Sequence, residues 1–170
     1  MNQYKILLVD DSPNILKALQ RIFKDEGYKI FTVGSAKEAL DKLSHESIDL
    51  MISDQNMPEI SGIDLLKLVR IKYPKIIRMM LTGVTDFEVA KEAINKGEIY
   101  RFFNKPCDDF ELLLSVKYAL KHKFLEEENY LLKKALTDKE EKLKLLEAQY
   151  PGITKRELTS DGAIVIENGQ

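Results

Sequence analysis

Five residues at four well-separated places in the chain, Asp10, Asp11, Asp54, Thr82 and Lys105, have types that do chemistry only in company. Three carboxylates brought into one pocket repel one another, and their charged forms persist only beside a cation or with shifted pKa values. A hard divalent ion resolves that conflict. Oxygen ligands without clustered His or Cys point to Mg²⁺, which prefers octahedral oxygen, keeps several waters and shares its shell with phosphate. A carboxylate can also act as a nucleophile and become an aspartyl-phosphate. Such a transfer needs the charge around the phosphoryl oxygens neutralised, and Mg²⁺, the Lys105 ammonium and the Thr82 hydroxyl would supply this.

For these side chains to meet, the elements carrying them must end along one edge. Short apolar runs alternate with segments of helical period up to about residue 106, as in βα units around a parallel sheet. The predicted strands are 5–9, 28–33, 48–53, 76–81 and 99–103, and the first, third and fourth are nearly continuous apolar runs suited to burial on both faces. Helix starts are marked by Ser12 before Pro13, by Ser35 with Glu38, by Ser61 before Gly62 and by Thr85 with Glu88. Gly27 and Gly97 fall where helices should stop in a left-handed cap. The expectation is an α/β fold with a five-stranded doubly wound parallel sheet. Right-handed crossovers place the strand C-termini on one edge, where such folds bind ligands. Asp10 and Asp11 follow the first strand, Asp54 the third, Thr82 ends the fourth, and Lys105 with Pro106 follows the fifth.

Composition narrows the class. The 170 residues hold one ordinary domain plus an appendage, and 44% hydrophobic content supports a real core. A net charge of −2 offers no global attraction for nucleic acid or an anionic membrane. The single cysteine, Cys107, excludes an internal disulfide and fits a reducing compartment. Neither a secretory signal nor a run of about 20 apolar residues is present, so the expected location is the cytoplasm, without membrane insertion.

The pattern resembles the receiver domain of two-component response regulators. The match runs from about residue 4 to 120. It is carried by Val-Asp10-Asp11, by Ile-Ser-Asp54 followed by Met57-Pro58 and Gly62, by Leu-Thr82-Gly and by Asn-Lys105-Pro106. The resemblance implies a flavodoxin-like strand order 2-1-3-4-5, with Asp54 as phospho-acceptor. It makes Asp11 a direct Mg²⁺ ligand, Asp10 a ligand through water, and Asn56 a ligand through its backbone carbonyl. Thr82 and Phe102 would form the switch that reports phosphorylation, and Pro106 is expected to be cis or turn-forming. Phe102 departs from the tyrosine often found there and has no hydroxyl to donate. Asn56 and Val84 would tune the lifetime of the phosphoryl group, with slow self-dephosphorylation expected. Beyond self-phosphorylation and self-dephosphorylation with Mg²⁺, no enzyme activity is expected.

After Asp108 and Asp109 no Pro or Gly interrupts the chain until Pro151-Gly152. A helix of that length is roughly 60 Å long at 1.5 Å per residue. Spacing by alternate fours and threes from Tyr118 puts His122, Asn129, Leu136, Leu143 and Tyr150 at a positions, with Leu125, Leu132, Lys139 and Leu146 at d. In a parallel pair the flanking positions set Lys121 against Glu126, Glu128 against Lys133 and Lys142 against Glu147. The expected dimer seam is Leu125, Asn129, Leu132, Leu136, Leu143 and Leu146, with Lys139 a flaw. The alternative is a single exposed charged helix. Residues 151–170, with Asp161-Gly162 between β-prone runs, suggest a short tail with a hairpin.

The expected organisation is therefore a receiver at 1–120, a coiled-coil extension at 121–150 and a tail at 151–170. A sensor histidine kinase or phosphotransfer protein would phosphorylate Asp54, and the dimeric helix would relay the change to a downstream protein. No helix-turn-helix follows residue 106, so direct binding of nucleic acid is not expected. Two rival readings are a fragment or stub of a longer regulator with an enzyme or DNA-binding effector, and a haloacid-dehalogenase-type phosphatase. The second expects Asp-x-Asp on the first strand, whereas Asp10 and Asp11 are adjacent.

Overall fold

The computed structural model describes residues 3–83 and 86–153, apart from the Phe87 side chain. Apolar runs form the strands β1 (Lys5–Val9), β2 (Lys29–Val33), β3 (Leu50–Asp54), β4 (Ile77–Thr82) and β5 (Arg101–Asn104). Between and after them lie α1 (Pro13–Ile22), α2 (Ala36–His45), α3 (Gly62–Lys72), α4 (Phe87–Asn95) and α5 (Asp109–Gln149). The strands form one five-stranded sheet in the order β2-β1-β3-β4-β5, and every neighbouring pair is parallel. Fold class and strand order are as the sequence led us to expect.

Alternation along the strands divides the core. Leu7, Val9, Met51 and Met80 pack with α2, α3 and α4 on one face. Ile6, Leu8, Ile52, Leu81 and Phe103 pack with α1 and α5 on the other. The central strands β1 and β3 are covered on both sides, which explains their nearly continuous apolar sequences. Burying this much apolar surface, at about 25 cal/mol per Å², is what holds the sheet and its helices together.

Several strand starts differ from the sequence reading by one or two residues. Ile48 and Asp49 precede β3, and Asp54 is its last residue rather than the residue after it. Ile99 and Tyr100 form the approach to β5. Ser12 occupies the N-cap of α1, but its side chain makes no cap bond. Its N–H is instead held by Asp10 Oδ1 at 2.8 Å, so a residue expected at the metal also closes the turn into α1. Ser35 and Ser61 do cap, accepting from the amides of Glu38 and Asp64, although Glu38 reaches back to the Gly34 amide rather than to Ser35. Thr85 and Val84 lie outside the described residues, and Asp86 stands at the N-cap of α4. Gly27 and Gly97 have φ of 72° and 67°, the left-handed backbone for which glycine is suited.

The chain divides into two compact units, one through Lys123 and the other from Phe124 on. In the first, Asp108 caps α5 through the Glu111 amide at 2.8 Å, and Leu112, Val116, Ala119 and Leu120 join the core. Lys117 and Lys123 tie the same stretch to Glu26 and Asp49 at 2.7 and 2.8 Å. In the second, Leu125, Leu132, Leu136, Leu143 and Leu146 are all more than 40% exposed. Phe124, Leu131 and Leu145 are exposed as well, and they fall on a row of sevens that the heptad reading passed over. Residues 154–170, where the hairpin was expected, lie outside the described residues. Among the described residues no helix is long and apolar enough to cross a membrane.

Candidate functional site

Each polar residue singled out in the sequence stands at one edge of the sheet because its strand stops there. Asp10 and Asp11 leave the end of β1, Asp54 closes β3, Thr82 closes β4, and Lys105 follows β5. Register confirms the alignment: Val9 lies beside Ser53, Asp54 beside Leu81, and Thr82 beside Asn104.

Lys105 is the centre of the geometry. Its Nζ lies 2.7 Å from Asp54 Oδ1 and 2.8 Å from Asp10 Oδ2, so one ammonium bridges two carboxylates. Asp10 and Asp54 are only 1% and 5% exposed, whereas Asp11 is exposed. One carboxylate oxygen from each of Asp10, Asp11 and Asp54 lies within 4.8 Å of the others. Three carboxylates against one ammonium leave the pocket with excess negative charge, and an all-oxygen donor set of this size suits a hard divalent cation.

The electrostatics show the strain. Burial pushes the Asp54 carboxyl above its usual range; the hydrogen bond and charge of Lys105 oppose this, and the Asp10 charge adds to it. For Lys105, burial acts to lower the ammonium's pKa, but the hydrogen bonds and charges of Asp10 and Asp54 outweigh it and raise the value. The lysine is firmly charged. Its charge, shared between two carboxylates, does not fully offset the burial of Asp54.

Backbone groups complete the pocket. Asn56 N–H donates to Asp54 Oδ2 at 3.1 Å, and Lys105 N–H donates to the Thr82 carbonyl at 2.7 Å. The Thr82 side chain is fully buried, its hydroxyl donating to the Gly83 carbonyl at 3.2 Å. Phe102 pairs with Met80 in register while Thr82 pairs with Asn104, so threonine and ring are diagonal neighbours on one face of the sheet. Phe102 is half-buried against the core on that face. The Lys105–Pro106 peptide is cis.

Three features were not read from the sequence. Gln55 fastens α3 to the pocket: its Oε1 accepts from Ile63 N–H at 3.0 Å, and its carbonyl from Gly62 N–H at 2.9 Å. Gly62 is needed because a Cβ there would meet the backbone of Asp54 and Gln55, with Asp54 C at 2.8 Å and Gln55 Cα at 2.9 Å. Glu59 has φ of 66°, and Ile60 N–H donates to the Pro58 carbonyl at 2.8 Å. This is a γ-turn with a positive-φ centre, strained by about 1–3 kcal/mol for a non-glycine residue. The sole sequence signal for any of them was the Pro58 to Gly62 spacing.

Fold and pocket together define a receiver, the domain of two-component signalling that takes up the input. The chain belongs to the response regulator receiver domain family, whose profile matches residues 6–117. It is 34% identical over 124 residues to the hydrogenase transcriptional regulatory protein HoxA of Cupriavidus necator, covering 73% of this chain and 26% of that protein. Over 115 residues it is 35% identical to the transcriptional regulatory protein GlrR of Escherichia coli, covering 68% of this chain and 26% of that one. Among solved structures, the signal receiver domain of an HD domain-containing protein from Pseudomonas fluorescens matches with a TM-score of 0.69 and 39% identity, covering 72% of this chain and 98% of that one. The chain thus spans about a quarter of the length of the curated relatives named here.

Proposed function

We propose that Asp54 takes a phosphoryl group from a histidine kinase or phosphotransfer protein in the cytoplasm. An Asp54 carboxylate oxygen attacks phosphorus, the bond from phosphorus to the donor histidine nitrogen breaks, and the electron pair returns to the imidazole. Lys105, already 2.7 Å from Asp54 Oδ1, is the observation that carries this reading. It holds the nucleophile in place and remains to balance charge on the transferring oxygens. Mg²⁺, held by Asp10, Asp11, Asp54 and the Asn56 carbonyl, would supply further charge neutralisation when bound. Thr82 would then donate to a phosphoryl oxygen, and Phe102 would follow it as the switch.

The output runs through α5. Exposed leucines at heptad spacing, with Asn129 in the seam and opposite charges flanking it, support a parallel homodimeric coiled coil that presents the signal to another protein. The curated relatives are transcriptional regulators by name, which supports a second reading in which this receiver serves an effector domain.

Beryllium fluoride or acetyl phosphate with Mg²⁺, followed by NMR on wild type and Asp54→Ala, tests the assignment. Wild type should shift around Thr82 and Phe102 and the variant should not; equal responses would sink it. Solution mass of the full chain against a chain truncated after residue 122 tests the dimer, and two monomers would exclude it.

A further inference from the structure

A hydrogen bond links the pocket to the start of α4, and the roles assigned to Asp54, Thr82 and Lys105 leave it unexplained. Asn56 Nδ2 donates to Asp86 Oδ2 at 3.0 Å, while the Asn56 backbone N–H holds Asp54 Oδ2. A single residue therefore links the acceptor carboxylate to the residue that precedes α4.

The other end of this link is unusual. Asp86 stands at the N-cap of α4, where a carboxylate ordinarily accepts from the second and third helical amides, here Glu88 and Val89. Its side chain makes no such bond, and its backbone, at φ −105° and ψ 11°, lies outside the extended region that a cap adopts. Ser35 and Ser61, with extended backbones, do cap their own helices. In this state the Asp86 carboxylate serves Asn56 instead of α4.

We propose that Asp86 is a positioning residue with two stations, holding the Asn56 side chain before phosphorylation and capping α4 after it. This rests on Asp54 being the phospho-acceptor. When an Asp54 oxygen bonds to phosphorus, the carboxylate becomes an acyl phosphate and its charge moves out to the phosphoryl oxygens. The Asn56 N–H loses a charge-assisted acceptor, and the pocket gains an anion more highly charged than the Asp86 carboxylate. Both changes loosen Asn56 from Asp86. The released carboxylate sits at a helix N-terminus, where its charge and its lone pairs are both favourable. Because the bond to Asn56 is exposed, it is weak enough to be exchanged, and the two stations lie close in free energy as a switch requires. This gives the pocket a second path to α4, separate from Thr82 and Phe102.

Hydrogen exchange at the Glu88 and Val89 amides of the full chain tests the proposal. With Mg²⁺ and no phosphoryl donor, Asn56→Ala is expected to slow these amides by about 2- to 30-fold, the range that a side-chain cap is worth. Adding Asp86→Ala to that variant should restore the wild-type rates. Equal exchange in wild type and Asn56→Ala overturns the proposal. Beryllium fluoride should slow the same amides in wild type but not in Asp86→Ala, and equal slowing in both overturns it too. A wild type whose pocket ignores beryllium fluoride refutes the Asp54 assignment and the phosphorylated station with it. An Asn56→Ala failure alongside a normal beryllium fluoride response refutes the role of Asp86 alone.

Discussion

At Asp54 the same carboxylate is both buried and needed, and the conflict is measurable. Burial raises its folded pKa above the unfolded value, against the pull of Lys105. Where the folded pKa lies higher, the native state binds the proton more tightly, so ionised Asp54 opposes folding at neutral pH and protonated Asp54 does not. Without divalent ions, Asp54→Asn should therefore melt at a higher temperature than wild type at pH 7. The gap should narrow as pH falls through the carboxylate range; a gap that widens on acidification contradicts this account. Mg²⁺ at about 100 times its Kd should stabilise wild type by roughly 2.7 kcal/mol and the variant by much less. The pocket residues were legible because the motif residues follow strands, and a parallel sheet ends its strands on one edge. Asn56–Asp86 and Gln55–Ile63 were not, because each joins residues whose pairing no local spacing encodes.

Among the elements, α3 depends on its first residue. Gly62 brings the helix against the Asp54 and Gln55 backbone, leaving no room for a β carbon. Gly62→Ala should lower stability by roughly 3 kcal/mol or more, because the obstacle is main chain rather than a movable side chain. Gly34→Ala is the control: its Cβ would meet only Glu38 Oε2 at 3.9 Å, and the change should fall within about 0.5 kcal/mol. Urea midpoints of the two variants give the comparison, and equal midpoints would refute the close approach. Element identity was readable from apolar runs and caps, but element edges were less so. β3 starts at Leu50, and the Asp49 side chain just before it accepts from Lys123 and from the Lys5 amide. Ser12 stands at the N-cap of α1 without a side-chain cap bond, while its own amide donates to Asp10.

In the whole molecule the proposed dimer has a marked defect at Lys139, a d position between Leu132 and Leu146. Lys139→Leu should tighten association at least tenfold, since burying a leucine is worth about 1.5–3 kcal/mol. Sedimentation equilibrium would show it, and an unchanged constant would exclude that register. The 41-residue α5 also has a consequence for assembly in time. Its first turns close onto the sheet within one chain, as an event independent of concentration. Its last turns, from Phe124 on, are exposed, and in the proposed dimer only a second molecule covers them. Folding should thus proceed in two stages with different orders in protein. Dilution should strip the distal helix while the receiver, with its pocket, stays folded.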